Sequence, residues 1–257
     1  MILTNKNGAS FYQFFNFRRF SGIHHAIFTR HAGYSGGPYK SLNISFGIGD
    51  DANNVQKNRH IISQCIQGKE FVFVEQVHGD NVLIIDGCHH GDENKKTASS
   101  STGDAMVTHL RQTFLVVQVA DCQSVMLYDP NREVVANIHV GWRGSIKNII
   151  GRTLKAMVEH FGCLTSEIVA GVGPSLGPCC AEFVNYKLEI PEEFWAYKDT
   201  SHHFDFWTIS RDQLVAAGVL DENITISKIC TKCNTDVFFS YRGEGTTGRF
   251  AAVIGLK

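Results

Sequence analysis

The sequence predicts a single domain that combines β-sheet with α-helix, of the α/β or α+β class. Apolar segments rich in Val, Ile and Phe recur along the 257 residues and are separated by Gly-rich or Asp-rich turns, as in a series of strands. Between them, other segments repeat their apolar residues at helical spacing. No internal repeat or Pro-rich linker divides the chain, so residues 1–257 are expected to form one domain.

The strand predictions follow the apolar segments in chain order. Their alternation with helical segments favours mixed sheets. The predicted strands are residues 71–77, 81–86, 113–120, 125–128, 133–139, 167–172, 223–229, 237–240 and 249–256.

The clearest helix is predicted over residues 145–161, where the apolar side chains fall on one face. Gly162 follows at the position where a C-terminal stop is expected. Weaker patterns predict helices over residues 52–66 and over 210–217, the latter ending before Gly218.

Residues 87–103 contain almost no apolar side chains and are predicted to form an exposed loop. Within it, Cys88, His89 and His90 form a short tract that is able to bind a metal ion. Incidental histidines in a polar loop are the more common arrangement, and we give that interpretation preference.

Composition excludes several classes of function. Lys and Arg total 24 against 25 Asp and Glu, so the chain lacks the positive surplus of a general nucleic-acid binder. No apolar stretch approaches the roughly 18 residues of a membrane span, and the first residues do not resemble a signal peptide. We therefore expect a soluble cytoplasmic protein without nucleic-acid or membrane partners. Eight Cys then favour free thiols or metal ligands over disulfides.

Three predicted strands end in a side chain that can bind a metal ion. These are His78 in QVHG, Cys122 in ADC and His139 in HVGWRG. Two imidazoles and one thiolate suit Zn²⁺, and three protein ligands leave the fourth position open, as in a catalytic zinc site. For each residue alone a packed core side chain is the preferred interpretation, because the spacing does not establish that the three converge.

Short segments across most of the chain match, in order, those of one known family. They are TRHAGYS (29–35), SLN (41–43), GDD (49–51), NR (58–59), QVHG (76–79), DAMVT (104–108), ADC (120–122), HVGWRG (139–144), GPS (173–175), CCAE (179–182), CT (230–231), SYR (240–242) and GR (248–249). On these motifs the chain resembles the laccase-domain family, also described as multicopper polyphenol oxidase-like.

The resemblance implies an α+β fold, an α/β/β/α layered sandwich in which two mixed β-sheets pack together with helices outside. It implies one zinc ion held by His78, Cys122 and His139. The implied activity is that of a purine nucleoside phosphorylase, which acts on adenosine, inosine or methylthioadenosine with phosphate. Adenosine deaminase activity at the same site is also implied. The oligomeric state does not follow from the sequence.

Phosphorolysis needs a bound phosphate, a bound nucleoside and a proton for the departing base. Arg59 and Arg143 are our candidates for clamping the phosphate. Asn43, Gln76 and Arg242 are candidates for binding the substrate.

Two further candidates act at the metal site itself. Cys122 is a catalytic candidate as well as a ligand. Asp121, its neighbour, is a candidate for proton transfer, or else for orienting a zinc-bound histidine.

The chain departs from the family pattern at two positions. Ser124 stands where the family commonly has Pro, which we expect to change only the loop backbone. Gly243 stands where the family usually has a second Arg after SYR, so phosphate binding is expected to differ if that Arg contacts phosphate. Arg249 and Lys232 are the candidates to compensate.

Three alternatives to a nucleoside enzyme stay open. Cys122 with His139 or His78 as base would suit a cysteine-dependent amidase that edits cell-wall precursor peptides. Copper can replace zinc at such ligands, giving a polyphenol oxidase, although the chain lacks the repeated H-x-H pairs of a multicopper site. A non-enzymatic binding module would need no open metal site.

One more motif, Cys230-x-x-Cys233, is a weak metal or redox signal. No second pair of this spacing accompanies it, and local packing is its preferred interpretation.

Overall fold

The computed structural model describes residues 1–87 and 101–257. The strands are β1 (Ile2–Lys6), β2 (Ala9–Gln13), β3 (Ile23–Phe28), β4 (Glu70–Val72), β5 (Val82–Ile85), β6 (Ala105–Thr108), β7 (Thr113–Val119), β8 (Gln123–Asp129), β9 (Val134–Val140), β10 (Val169–Val172), β11 (Ile224–Ile226) and β12 (Phe250–Leu256). The helices are α1 (Ala52–Ile66), α2 (Trp142–Ile146), α3 (Ile149–Phe161), α4 (Tyr186–Glu189), α5 (Phe206–Ala216) and α6 (Tyr241–Glu244).

The strands form two sheets of six strands each. The first sheet has the order β1-β2-β3-β12-β7-β4, and the second has the order β11-β10-β8-β9-β6-β5. Most neighbours are antiparallel, but β4 with β7, β5 with β6 and β10 with β11 are parallel. Both sheets are therefore mixed, as expected.

Alternating side chains of the central strands divide the interior into layers. In β7, Leu115 and Val117 join the core between the two sheets, while Phe114 and Val116 face the cluster that includes residues of α1. The outer face of the second sheet packs against apolar residues of α3 and α5. This arrangement confirms the α/β/β/α sandwich implied by the family resemblance.

A buried amide joins the two sheets across the central core. The side-chain Nδ2 of Asn137 in β9 donates to the backbone oxygen of Leu115 at 2.9 Å and to that of Ala252 at 2.8 Å. Because β9 alternates, Asn137 and His139 point toward the opposite sheet, while Ala136 and Ile138 face α3. The alternation of side chains along β9 therefore directs His139 into the space between the sheets.

Each predicted helix has a counterpart in the structure, but one is divided into two helices and another begins earlier than predicted. Helix α1 covers the predicted range, and the carboxylate of Asp51 accepts hydrogen bonds from the backbone N–H groups of Asn53 and Asn54. The helix predicted from residue 145 is instead two helices, α2 and α3, because Asn148 adopts a left-handed conformation and caps α3 through Gly151 N–H. Helix α5 begins at Phe206, before the predicted start.

Four strands were not predicted, namely β1, β2, β3 and β6. Strand β3 contains His24 and His25, and these two polar residues interrupt its apolar pattern. Burial lowers the pKa of His25 to about 3, so the ring is neutral, and its Nε2 accepts a hydrogen bond of 2.8 Å from Phe14 N–H.

The strand prediction for residues 237–240 is wrong. Phe238 and Phe239 are buried, but their backbone lies in an irregular segment in which Phe238 N–H donates to Asn234 O.

The loop predicted over 87–103 lies mainly outside the described residues, and so does its tract of Cys88, His89 and His90. In the described parts of the chain, no helix has both the length and the apolar character needed to cross a membrane.

Candidate metal centre and substrate cavity

The loop after β4, the turn between β7 and β8, and strand β9 bring His78, Cys122 and His139 together. Their ligand atoms lie within 4.8 Å of one another. His78 lies in the loop that follows β4, Cys122 lies in the tight turn between β7 and β8, and His139 lies near the end of β9. The predicted convergence of these three side chains is therefore present, and the group can hold a metal ion.

Asp104 fixes the geometry of this group, and sequence reasoning did not select it as a site residue. Its Oδ1 lies 2.8 Å from Nδ1 of His139, and its carboxylate also accepts from the backbone N–H groups of His78 and Gly79, at 2.9 and 2.6 Å. Although burial acts to raise the pKa of Asp104, these hydrogen bonds lower it overall. An ionised carboxylate requires the proton of His139 on Nδ1, which leaves Nε2 free to bind a metal.

Cys122 and His139 are electrostatically paired. Burial acts to raise the pKa of Cys122, but the imidazoles of His139 and His78 lower it to about 6. Burial acts in the opposite direction on His139, where Cys122 and Asp104 raise the pKa to about 9. Cys122 is therefore stabilised as a thiolate, which is the form that binds metal ions.

Gly141 leaves room for the three ligands to approach one another. A Cβ atom at this position would lie 2.8 Å from Cδ2 of His78 and 3.3 Å from Sγ of Cys122. The donor set of two imidazoles and one thiolate, together with this space, fits a zinc ion with one coordination position left for another ligand. The residues present thus fit the metal that the resemblance implies.

The ligand group lies in the wall of a cavity of about 770 Å³, within the size range of small-molecule sites. Aromatic side chains form much of this wall, and guanidinium groups and amides provide its polar part. The aromatic residues are Phe46, Trp142, Phe183, Phe206 and Tyr241, and the arginines are Arg143, Arg242 and Arg249.

Four of the predicted site residues besides the ligands line this cavity: Gln76, Asp121, Arg143 and Arg242. The amide of Gln76 forms two hydrogen bonds with the backbone of Gln118, at 2.8 and 2.9 Å, and so braces the cavity wall.

Arg59 and Asn43, two further predicted site residues, are not among the residues that line the cavity. The Arg59 guanidinium lies over the rings of Phe46 and Phe73, and its Nε donates to Ile44 O. Asn43 is fully buried, and its Oδ1 accepts from the backbone N–H of Arg249 at 2.9 Å. Both residues therefore support neighbours of the cavity.

Asp121 does not orient a histidine of the group; Asp104 does. One oxygen of Asp121 accepts from the hydroxyls of Thr231 and Ser240, each at 2.6 Å, and the other accepts from Arg242 N–H. Asp121 thus connects the metal centre to the chain segment that carries Arg242.

Sequence reasoning also gave too little weight to Arg249 and to the aromatic wall. Arg249 was considered only as a substitute for the Arg missing at position 243, yet it lines the cavity. Phe183, Phe206 and Tyr241 come from separate segments with no shared motif, so only their position in the fold reveals them.

Comparison with known proteins agrees with this geometry. The family model of multi-copper polyphenol oxidoreductase laccases matches residues 24–257. The chain belongs to this laccase-like family. Purine nucleoside phosphorylase YlmD of Geobacillus stearothermophilus is 31% identical over 251 residues, covering 93% of this chain and 92% of that protein. A purine nucleoside phosphorylase of Bacteroides thetaiotaomicron is 31% identical over 238 residues, covering 88% of each chain.

The similarity to known proteins extends over the whole fold of this chain. The crystal structure of YlmD from Geobacillus stearothermophilus matches with a TM-score of 0.88 and 30% identity, covering 99% of this chain and 98% of that one. The structure of a Bacillus licheniformis protein, YfiH, matches with a TM-score of 0.86 and 26% identity, covering 99% of each chain. The two-sheet, single-domain architecture is therefore that of the family.

Proposed function

We propose that this protein is a zinc-dependent purine nucleoside phosphorylase, which converts adenosine, inosine or methylthioadenosine and phosphate into the free base and ribose 1-phosphate. The observation that carries the proposal is a single cavity lined by the His78, Cys122 and His139 group, by three arginines and by several aromatic rings. The phosphorylase names of relatives at about this chain's full length support the same reaction.

The arginines are suited to binding phosphate. In residues 1–87 and 101–257, none of Arg143, Arg242 and Arg249 forms an ion pair with a carboxylate. Burial lowers the pKa of Arg249, which shows that part of its hydration has been removed. A phosphate dianion in the cavity would compensate these positive charges and accept paired hydrogen bonds from a guanidinium group.

The aromatic residues are suited to binding the base. Trp142 and Phe183 contact each other edge to face, with ring centroids 5.9 Å apart, and Phe183 also contacts Phe206. Such a surface stacks on a planar purine whatever its substituents. In this proposal the aromatic wall holds the base while the arginines hold the phosphate beside the sugar.

The reaction exchanges one bond at the anomeric carbon. A phosphate oxygen forms a bond to C1′ as the bond from C1′ to N9 of the purine breaks, and the bonding pair leaves with the base. The base then takes up a proton. Zinc held by His78, Cys122 and His139 would supply positive charge to bind and orient an oxygen ligand. Asp104 keeps His139 in the tautomer that binding requires.

Product chromatography tests the proposal. Zinc-loaded protein is incubated with adenosine, with and without phosphate, alongside Cys122→Ala and the control Cys65→Ala, whose thiol lies in α1 outside the cavity. We expect adenine and ribose 1-phosphate only with phosphate, and a loss of at least about 10³-fold in Cys122→Ala. Inosine formed without phosphate would indicate deamination. No turnover by zinc-loaded protein in either condition would reject a nucleoside substrate.

The charge state of Cys122 favours a second candidate, a cysteine-dependent amidase. A thiolate of lowered pKa beside an imidazolium is the arrangement of a cysteine nucleophile. The two candidates differ in their response to metal. Removal of zinc would abolish the phosphorylase, whereas it would free Cys122 to attack an amide and activate the amidase.

A further inference from the structure

A second cluster of sulfur atoms lies outside the active-site ligand group. The ligand atoms of Cys179, Cys180, Cys230 and Cys233 all lie within 4.8 Å of one another. The first two residues follow β10, and the last two follow β11. The sequence offered only the Cys230-x-x-Cys233 pair, because Cys179 and Cys180 are adjacent and therefore do not have the usual spacing of a second pair.

The sulfur separations match a single tetrahedral metal ion. Sγ of Cys233 lies 3.7 Å from Sγ of Cys179 and 3.5 Å from Sγ of Cys180. A zinc–sulfur distance of about 2.3 Å places the sulfurs of a regular tetrahedron about 3.8 Å apart. A four-iron cluster would hold its thiolates farther apart. All four cysteines are free thiols.

We propose that Cys179, Cys180, Cys230 and Cys233 form a structural Zn²⁺ site, separate from the His78, Cys122 and His139 centre. Four sulfur ligands satisfy the coordination of zinc and leave no position for substrate. The site is closed, in contrast to the centre in the cavity.

The surroundings of Cys230 favour a thiolate. The backbone N–H of Gly177 donates to Sγ of Cys230 at 3.3 Å. This N–H group is directed at a sulfur atom that three other sulfur atoms surround. Zinc binds cysteine as the thiolate, so binding of zinc would release the protons of the four thiols.

The metal can enter and leave without unfolding of the protein. Cys179 and Cys233 are exposed, Cys180 is partly exposed, and only Cys230 is buried. Exchange with a chelator is therefore expected to be possible in the folded state.

The site would join two segments that contact Asp121 in the lining of the cavity. Ser175 and Cys230 form a β-bridge, in which Ser175 N–H donates to Ile229 O and Thr231 N–H donates to Ser175 O. Thr231 also holds the carboxylate of Asp121, whose backbone oxygen accepts from Leu176 N–H at 2.8 Å. Zinc at the four sulfurs would thus stabilise the segments that anchor Asp121.

Metal content of full-length variants tests the proposal. The proteins are expressed with added zinc, dialysed and analysed for zinc per chain by mass spectrometry of the metal. We expect two zinc ions in the wild type and in the control Cys65→Ser, and one in Cys122→Ala. We expect one in the double variant C179S/C233S, whose substitutions lie at exposed positions, and none when all three changes are combined.

Cobalt spectroscopy provides an independent readout that requires no change at the four cysteines. Cys122→Ala stripped of zinc is titrated with Co²⁺. We expect one equivalent of Co²⁺ to give intense tetrahedral d–d bands and thiolate-to-cobalt charge-transfer bands. Both are expected to be absent from the triple variant, in which C179S/C233S is combined with Cys122→Ala. A chelator is expected to lower the melting temperature of Cys122→Ala but not that of the triple variant.

Two results would overturn the proposal. One is a wild type with a single zinc that disappears in Cys122→Ala, together with a cobalt titration that lacks the charge-transfer band. The other is a disulfide among these four residues in the purified, non-reduced protein, detected by peptide mass spectrometry. Both outcomes are independent of nucleoside turnover, so they leave the proposed function to its own test.

Discussion

Two groups of sulfur and nitrogen ligands lie in the same molecule, and their positions in the fold differ. In the first group, Cys122 and His139 lie beside or within central strands and His78 lies in the loop after β4, and the three ligands border a cavity of about 770 Å³. The four-cysteine group is built on two loops after β10 and β11, with a complete set of ligands. The central strands thus hold two of the three ligands of the open group, whereas a bound metal would join the two loops of the four-cysteine group.

The supporting contacts differ in the same way. Asp104 fixes the open group through one imidazole and the backbone of the His78 loop. The closed group has backbone N–H groups directed at Cys230 and no carboxylate among its described hydrogen-bond partners. The first group can therefore be altered without the second, which the following predictions use.

Of the three substitutions that follow, Gly141→Ala is expected to have the largest effect. The added Cβ would overlap Cδ2 of His78 and crowd Sγ of Cys122, so the open group must shift. We expect phosphorolysis to fall by about 10²-fold or more and the zinc content to fall by one ion per chain, with the four-cysteine site still filled. The control is Gly36→Ala, because a Cβ there meets no atom within 4 Å. Equal zinc content in Gly141→Ala and the wild type would contradict the crowding.

A smaller effect is expected from Asp104→Asn. The neutral amide cannot hold the proton of His139 on Nδ1 as firmly, so we expect zinc affinity at the open group to fall by roughly 10- to 100-fold. Competition with a chromogenic chelator measures this change. Asp80→Asn is the matched control, because Asp80 lies two residues after His78 but pairs with Lys147 and Arg152. An equal loss of zinc affinity in both variants would show that Asp104 has no specific role in orienting His139.

The smallest effect is expected from Glu244→Gln, at a residue connected to Asp121 of the cavity through Ser240. Glu244 pairs with Arg30 at 2.8 Å and accepts from Ser240 N–H, and Ser240 in turn holds Asp121. Burial acts to raise the pKa of Glu244, but Arg30 and the hydrogen bonds lower it overall. We expect the variant to lose about 1 kcal/mol of unfolding free energy at pH 7.

The loss of unfolding free energy in Glu244→Gln is expected to depend on pH. A carboxyl group with a depressed folded-state pKa contributes stability above its unfolded pKa, near 4.5 for Glu244. This contribution disappears as the pH falls through the folded pKa, so the difference between the wild type and Glu244→Gln should shrink in acid. Urea unfolding at a series of pH values from 7 downward measures it. A difference that stays constant into acid would show that charge is not the cause.

Much of the fold could be predicted because its strands and helices have strong local patterns. Helix α1 matched its predicted range, and β7, β9 and β12 lie within predicted strands or extend by one residue. Strand β3 was missed because His24 and His25 are polar in the sequence, and the burial of His25 against the rings of Phe14 and Phe17 arises only in the fold. The break between α2 and α3 depends on the left-handed backbone of Asn148, which no apolar periodicity indicates.

The sequence alone determined the chemistry that is available: a chain with a net charge of −1, apolar segments that predict strands in mixed sheets, and the motifs containing His78, Cys122 and His139. Tertiary structure decided which side chains meet. It placed Arg59 and Asn43 in supporting positions, brought Asp104 and Arg249 to the site, and joined Cys179 and Cys180 to a distant pair. The physical reason is distance along the chain, since long-range contacts depend on strand pairing and packing that local spacing does not encode.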